Sequence, residues 1–222
     1  MAGLLEPDSG EVYVRGRRVE GLLADTMRQG PKGKAGGTGL RVGLVFQSAA
    51  LFDSLTVREN VGFLLYEHSD LPQRVIDGLV TEVLLKVGLR GVEEKMPSQL
   101  SGGMKKRVAL ARAIISENKA AGADGEREEE VIMFDEPTAG LDPIASTVVE
   151  DLIRSTPDAG SVESYIVVTH QHSTIRRAVD RLIFLHQGRV VWEGTSTQFD
   201  DTDEEIVKQF ANGALDGPIQ YL

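Results

Sequence analysis

The 222-residue sequence contains no cysteine, and this absence excludes disulfides, thiolate zinc sites and thiol nucleophiles. Positive charge is also scarce, since 24 lysines and arginines face 34 aspartates and glutamates, giving a formal net charge of −10. Because nucleic-acid affinity comes largely from neutralised phosphates, we expect no nucleic-acid partner. No apolar run approaches the roughly 20 residues that span a bilayer, so we expect any membrane association to be peripheral.

The sequence also lacks a phosphate-binding loop of the form Gly-x-x-x-x-Gly-Lys-Ser/Thr. The only Gly-Lys step is Gly33-Lys34, which is followed by Ala35 where Ser or Thr is required. Arg28 stands where the first glycine of the loop would be. We therefore interpret residues 24–39 as a polar linker.

Short apolar runs alternate with helical patterns along the chain. We expect strands at residues 11–14, 41–46, 131–134 and 165–169, helices at 144–154, 173–180 and 203–211, a mainly helical stretch over 56–115, and a hairpin of 182–185 with 189–192. Residues 116–130 are interpreted as an acidic linker on the solvated surface. This alternation predicts an α/β fold with a mainly parallel sheet covered on both faces. The expected organisation is a single domain over 1–222 with a helical subdomain at about 56–115.

The run Leu100-Ser101-Gly102-Gly103-Met104 opens a basic amphipathic helix. Ser101 is a suitable N-cap for a helix whose apolar residues recur along one face. The two glycines leave backbone N–H groups exposed at the positive end of the helix, which suits a phosphate oxygen. Three basic residues occupy the first turn, where a helix favours acids: Lys105, Lys106 and Arg107.

A second segment, Val131-Ile132-Met133-Phe134-Asp135-Glu136, predicts a buried strand that ends in paired carboxylates. Parallel sheets bind ligands at the C-terminal edge of their strands, where these carboxylates belong. In this order, the two segments resemble the signature motif and the Walker B segment of ABC-type ATPases. The resemblance extends along nearly the whole chain. It implies a P-loop NTPase-like nucleotide-binding domain that binds ATP and Mg²⁺ and hydrolyses ATP.

The resemblance implies a role for each matching residue. Asp135 is expected to hold Mg²⁺, and Glu136 is expected to act as the general base on the attacking water. Gln47 matches the Q-loop glutamine, whose amide is expected to reach Mg²⁺ and that water. His170 matches the switch histidine that contacts the γ-phosphate, while His172 is interpreted as a surface residue without a role.

Family members work as dimers that sandwich nucleotide between two ATPase subunits. The resemblance therefore implies that four residues contact nucleotide held by a second subunit: Leu100, Ser101, Gly102 and Gly103. Asp142 closes the run Thr138-Ala139-Gly140-Leu141-Asp142, which is similar to the family's D-loop. That loop crosses the dimer interface, so Asp142 is also expected to take part in cofactor binding.

Several stretches resemble one branch of the family, among them residues 45–61, 103–107, 144–146 and 215–221. They are similar to ATPases of chloroplast trigalactosyldiacylglycerol lipid import and of bacterial Mla phospholipid trafficking. This implies a subunit that powers import of a phosphatidic-acid-like lipid, beside a permease and an MCE-domain lipid-binding subunit. The expected location is the stromal face of the chloroplast inner envelope, as a peripheral protein, or else the cytoplasmic face of a bacterial inner membrane.

The family pattern is incomplete in this sequence. Residues 1–5 align with the end of the helix that follows the phosphate loop, so we expect an N-terminally incomplete chain, from an incomplete gene model or a natural short isoform. We then expect no ATPase activity from the chain by itself. The alternatives are a non-enzymatic partner that lends its signature to a complete ATPase, the ATPase of another ABC importer, and a soluble ABC protein of translation or DNA repair.

Overall fold

The structure, a computed structural model, describes residues 9–14, 16–19, 40–115, 129–157, 162 and 164–220. The strands in chain order are β1 (Val12–Val14), β2 (Arg17–Val19), β3 (Leu40–Val45), β4 (Glu129–Asp135), β5 (Ser164–Val168), β6 (Arg181–His186) and β7 (Arg189–Thr195). The helices are α1 (Val57–His68), α2 (Gln73–Lys86), α3 (Gly102–Ile114), α4 (Pro143–Ser155), α5 (His172–Ala178), α6 (Ser196–Asp201) and α7 (Glu205–Asn212), with a 3₁₀ turn at Pro97–Gln99. The interpretations of residues 1–5, 24–39 and 116–128 fall outside the described residues.

β3, β4 and β5 form a parallel sheet with β4 in the middle. Val45 lies opposite Phe134 and Asp135 lies opposite Val168, so the three strands end at one edge. This confirms the predicted α/β fold with parallel strands. β4 begins at Glu129, so the prediction of a solvated linker is wrong for its last two residues. Backbone hydrogen bonds to β3 extend the strand there, and they are available to a glutamate as to any other non-proline residue.

α1, α2 and α3 confirm the helical stretch predicted between the first two parallel strands. Thr56 and Glu59 form a capping box that fixes where α1 begins. Gly88, with φ +69°, follows the last residues of α2 in the left-handed conformation that commonly ends a helix. Side chains from all three helices join those of β4 in one core: Val57, Val61, Val80, Leu84, Val108, Ile132 and Phe134. The boundary of a helical subdomain stays a prediction.

A second apolar cluster lies in the C-terminal part of the chain. On the predicted β6–β7 hairpin, Phe184 and Trp192 pack against Phe210 and Phe199 of the two last helices. The sequence predicts neither β2 nor α6, because elements this short do not show an apolar period. Within the described residues, none of the helices is both long enough and apolar enough to cross a membrane.

Candidate functional site

Four predicted site residues lie where the parallel strands end. Gln47 follows β3, Asp135 ends β4 with Glu136 directly after it, and His170 follows β5. Because these strands are parallel neighbours, their C-terminal ends meet at the same edge of the sheet. The fold therefore brings the four residues to one edge from three separate parts of the sequence.

The Glu136 carboxylate is held at this edge from two sides. Its Oε1 accepts a hydrogen bond from the His170 backbone N–H at 2.9 Å and lies 2.7 Å from His170 Nδ1. Its Oε2 accepts a hydrogen bond from the Thr169 hydroxyl at 3.1 Å. The Glu136 side chain is 14% exposed and the His170 side chain is 71% exposed. The pair thus presents the imidazole to solvent with the carboxylate fixed beneath it.

Three non-glycine residues of the site adopt a left-handed backbone. Glu136 has φ +42°, and Ala49 and Ala50, which follow Gln47, have φ +65° and +46°. A conformation of this kind costs about 1–3 kcal/mol per residue and persists only where surrounding contacts hold it. Arg112 of α3 provides such contacts, since its guanidinium donates to Ala50 O at 2.8 Å and to Ala49 O at 3.0 Å. Burial lowers the pKa of Arg112.

Lys106 is a site residue that the sequence does not identify. Its Nζ donates to Gln47 O and to Glu136 O, each at 3.1 Å, so one ammonium joins the ends of β3 and β4 to α3. Burial lowers the pKa of Lys106, although the nearby carboxylates of Glu136 and Asp135 raise it. The signal that could have found it is the unusual basic residue near the positive end of a helix. A cation there requires a nearby acceptor, and the strand ends supply two.

The predicted nucleotide-binding start of α3 packs against the segment after Glu136. The Ser101 hydroxyl caps the helix by accepting a hydrogen bond from Met104 N–H at 3.3 Å, as predicted. A Cβ added to Gly103 would lie 3.4 Å from Ala145 Cβ, and one added to Gly102 would lie 3.6 Å from a Leu141 methyl. Small residues at these two positions therefore allow α3 to approach the start of α4 closely.

Leu100 and Asp142 have structural contacts beside their predicted roles. The Leu100 side chain is buried in the core, so any contact it makes with nucleotide would come from its backbone. Asp142 caps α4, because its Oδ1 accepts hydrogen bonds from the Ile144 and Ala145 N–H groups at 3.0 Å each. The nucleotide contacts expected of Leu100, Ser101, Gly102, Gly103 and Asp142 stay predictions.

The interpretation of His172 as a surface residue is wrong, because its side chain is half-buried, while its lack of a part in the chemistry stays a prediction. Its ring packs on Phe210 with centroids 5.2 Å apart and on Phe199 at 6.2 Å. The contact joins α5 to the C-terminal apolar cluster. Its partners lie nearly thirty and forty residues further along the chain, so local sequence carries no sign of them.

The donor groups at the sheet edge fit Mg²⁺ bound together with a nucleotide. The described part of the chain holds no group of three or more His, Cys, Asp or Glu that could bind a metal without help. Asp135 and Gln47 offer hard oxygen donors at one edge instead. Mg²⁺ is commonly held by one or two carboxylates while water and substrate phosphates complete its octahedron. This donor set therefore suits a metal that arrives with phosphate.

Comparison with known proteins decides the family. The model of the ABC transporter family matches residues 1–139. The chain belongs to the ABC transporter family. It is 58% identical to Protein TRIGALACTOSYLDIACYLGLYCEROL 3, chloroplastic, of Arabidopsis thaliana, in a match that covers 100% of this chain and 63% of that protein. It is 36% identical to the intermembrane phospholipid transport system ATP-binding protein MlaF of Haemophilus influenzae, covering 100% of this chain and 76% of MlaF.

A solved structure supports the same family. The ATP-binding cassette MJ0796, in a dimeric post-hydrolysis state bound to ADP and Pi, superposes with a TM-score of 0.67 at 26% identity. The match covers 88% of this chain and 77% of that chain. Our chain therefore shares the fold of ABC cassettes over most of its length, while it spans less than two thirds of its Arabidopsis relative.

Proposed function

We propose that this chain is the ATP-binding and ATP-hydrolysing subunit of an ABC lipid transporter. The observation that carries the proposal is the Glu136 carboxylate, held at the sheet edge by His170 and Thr169. A carboxylate fixed by neighbouring donors is placed to accept a proton from a water molecule. Phosphoryl transfer depends on positioning and charge neutralisation more than on covalent chemistry, and this arrangement supplies the positioning.

The residues at the sheet edge and the start of α3 each have a part in this proposal. Asp135 and Gln47 hold Mg²⁺, which when bound neutralises charge on the phosphates. Glu136 accepts the proton of the attacking water, and His170 keeps the Glu136 carboxylate in place. The start of α3, at Ser101, faces nucleotide held by a second ATPase subunit. Backbone N–H groups at the positive end of a helix suit phosphate oxygens.

The cargo we propose is a phosphatidic-acid-like phospholipid that enters the chloroplast. The proposal is supported by the 58% identity to the chloroplastic Arabidopsis protein and by the similarity to MlaF, an intermembrane phospholipid transport protein. The partners in this proposal are a permease, an MCE-domain lipid-binding subunit and a second ATPase subunit. The chain would attach peripherally to the permease at the stromal face of the inner envelope.

A non-enzymatic role is the second candidate, and one observation favours it. The sequence contains no phosphate-loop motif, and the backbone amides and lysine of that loop hold the phosphates in the family. In this case the chain pairs with a complete ATPase and lends its signature residues to that subunit's nucleotide. Glu136 then has no part in turnover.

A transporter complex isolated through a tag on this chain separates the two candidates. We expect Mg²⁺-dependent phosphate release that Glu136→Gln lowers about a hundredfold or more, since a general base typically contributes a factor of 10² to 10⁴. Glu193→Gln, at an exposed carboxylate on β7, is the control and should leave the rate unchanged. Equal rates for the wild type and Glu136→Gln contradict the assignment of the base. Photocrosslinking of ATP to the chain purified alone contradicts the non-enzymatic role.

The lipid is tested with the same complex in vesicles. Vesicles that contain phosphatidic acid are expected to stimulate phosphate release more than vesicles of phosphatidylcholine alone. Equal stimulation by both vesicles would leave the ATPase assignment in place and refute the proposed cargo.

A further inference from the structure

A buried glutamate lies behind the site and has no part in the chemistry proposed above. Glu150, in the middle of α4, is 1% exposed. Its Oε1 accepts a hydrogen bond from the Thr174 hydroxyl of α5 at 2.9 Å. Its Oε2 lies 3.4 Å from Arg177 Nε and has no hydrogen-bond partner among the described residues. Burying a carboxylate is costly unless it is paired, so its position calls for an explanation.

Glu150 lies at one end of a series of polar side chains that contact one another. Thr174 Oγ1 lies 2.9 Å from Thr138 Oγ1, and both residues are buried. Thr138 Oγ1 lies 2.8 Å from the side-chain amide of Gln171, the residue that follows His170. This series therefore extends from α4 through the turn after Glu136 to the segment that carries His170.

Further hydrogen bonds lead from Gln171 to Glu136, the proposed general base. The backbone N–H of Gln171 donates to the Thr169 hydroxyl at 3.1 Å. That hydroxyl donates in turn to Glu136 Oε2 at 3.1 Å. Hydrogen bonds at the side chain of Gln171 and at its backbone N–H thus link this residue to Glu150 on one side and to Glu136 on the other.

The threonine hydroxyls are the donors at both ends of this buried series. Thr174 donates to Glu150 Oε1, and Thr138 donates to Gln171 Oε1. The contact between the two hydroxyls, at 2.9 Å, joins these two hydrogen bonds.

We propose that Glu150 is a positioning residue for the site. Its carboxylate accepts a hydrogen bond from Thr174, whose hydroxyl contacts that of Thr138, and Thr138 donates to Gln171 Oε1. These contacts hold the side chain of Gln171 in place and so hold the segment from Thr169 to His170 against Glu136. The part of Glu150 in ATP hydrolysis rests on the proposed function, because Glu136 is the general base only in that proposal.

Hydrogen exchange of the His170 amide in the full chain tests the proposal without nucleotide. Glu150→Leu removes the acceptor, and Gln171→Leu removes the other end of the hydrogen-bonded series at a position that is less buried than Glu150. Both are expected to speed exchange of the His170 amide by about tenfold relative to core amides of β4, the effect of losing one buried hydrogen bond. Glu150→Gln, which keeps an acceptor oxygen, should stay within about twofold of the wild type.

Asp151→Asn is the matched control, because Asp151 is the next residue of α4 and pairs with Arg177 at 2.7 Å on the surface. If Glu150→Leu speeds exchange equally at His170 and in the core, Glu150 contributes to stability alone. If Gln171→Leu leaves exchange at His170 unchanged, the series does not hold the His170 segment. Either result overturns the proposal. A complex that hydrolyses no ATP would instead refute the proposed function and leave the exchange result standing.

Discussion

Replacing Lys106 by methionine keeps most of the side-chain volume but removes the ammonium that joins two strand ends to α3. That ammonium donates to Gln47 O and Glu136 O at 3.1 Å each. A hydrogen bond from a charged donor contributes about 1.5–3 kcal/mol. Burial of the ammonium opposes part of this gain, since it lowers the pKa of Lys106. We therefore expect Lys106→Met to lower the free energy of unfolding by about 2 kcal/mol.

Urea unfolding of the full chain, followed by circular dichroism, measures the change. Lys105→Met is the matched control, because successive residues of a helix project about 100° apart and Lys105 therefore lies on a different face of α3. Its effect should stay within about 0.5 kcal/mol. Lys106→Arg keeps a charged donor and should fall between Lys106→Met and the wild type. Equal losses in Lys106→Met and Lys105→Met would refute the reasoning.

The pH dependence of the same variant has a fixed sign. Because burial lowers the pKa of Lys106, the unfolded chain holds this proton more tightly than the folded chain does. The protonated lysine therefore stabilises the folded state less than the neutral lysine does, and this deficit disappears as pH rises through the folded-state pKa toward the ordinary value of 10.5. The difference in unfolding free energy between the wild type and Lys106→Met should grow over that range. A difference that shrinks with rising pH would contradict it.

Three further substitutions test contacts near the site and at the C-terminus. Asn60→Ala removes a buried amide that bonds the backbone of Phe52 on both sides, and thermal or urea unfolding should show a loss of about 2–4 kcal/mol. The backbone N–H and the hydroxyl of Thr56 lower the pKa of Glu59 below its ordinary 4.5. The ionised Glu59 therefore stabilises the wild type above that pH, and this stability is lost as pH falls through the folded-state pKa. Glu59→Gln should remove this contribution. Gln209→Ala removes the amide that binds both backbone groups of Ile219, and limited proteolysis should then cut the C-terminal segment faster than in the wild type.

The edge of the sheet that carries the proposed site is predictable because it depends on local patterns. The apolar runs before Asp135 and His170 identify buried strands, and parallel neighbours bring the residues after their C-terminal ends to one edge. The start of α3 is predictable for the same kind of reason, since Ser101 with two glycines gives a local capping signal. Their assembly into one site then depends on strand order, and the structure places β4 between β3 and β5.

The residues that hold this edge in place are not predictable from local patterns. Lys106 bonds a residue 59 positions away, and Arg112 bonds residues 62 and 63 positions away. Burial of Glu150 is not predictable either, because glutamate is almost never fully buried unless paired, and its partners Thr174 and Arg177 lie on another helix. Partners so far apart in sequence become neighbours only when helices and sheet pack. Composition and spacing carry no sign of them.

These long-range contacts connect α3, whose start is the predicted dimer face, to the edge of the sheet that carries the proposed site. Ser101 lies at the start of the helix, Lys106 one turn further along and Arg112 near its end. A helix rises about 1.5 Å per residue and is stiff over this length, so its two basic side chains move together. Because Lys106 bonds the carbonyl of Glu136 and Arg112 bonds the strained turn after Gln47, any shift of α3 acts on both strand ends at once. A partner that engages the start of α3 is therefore expected to change the geometry around Glu136 without touching it.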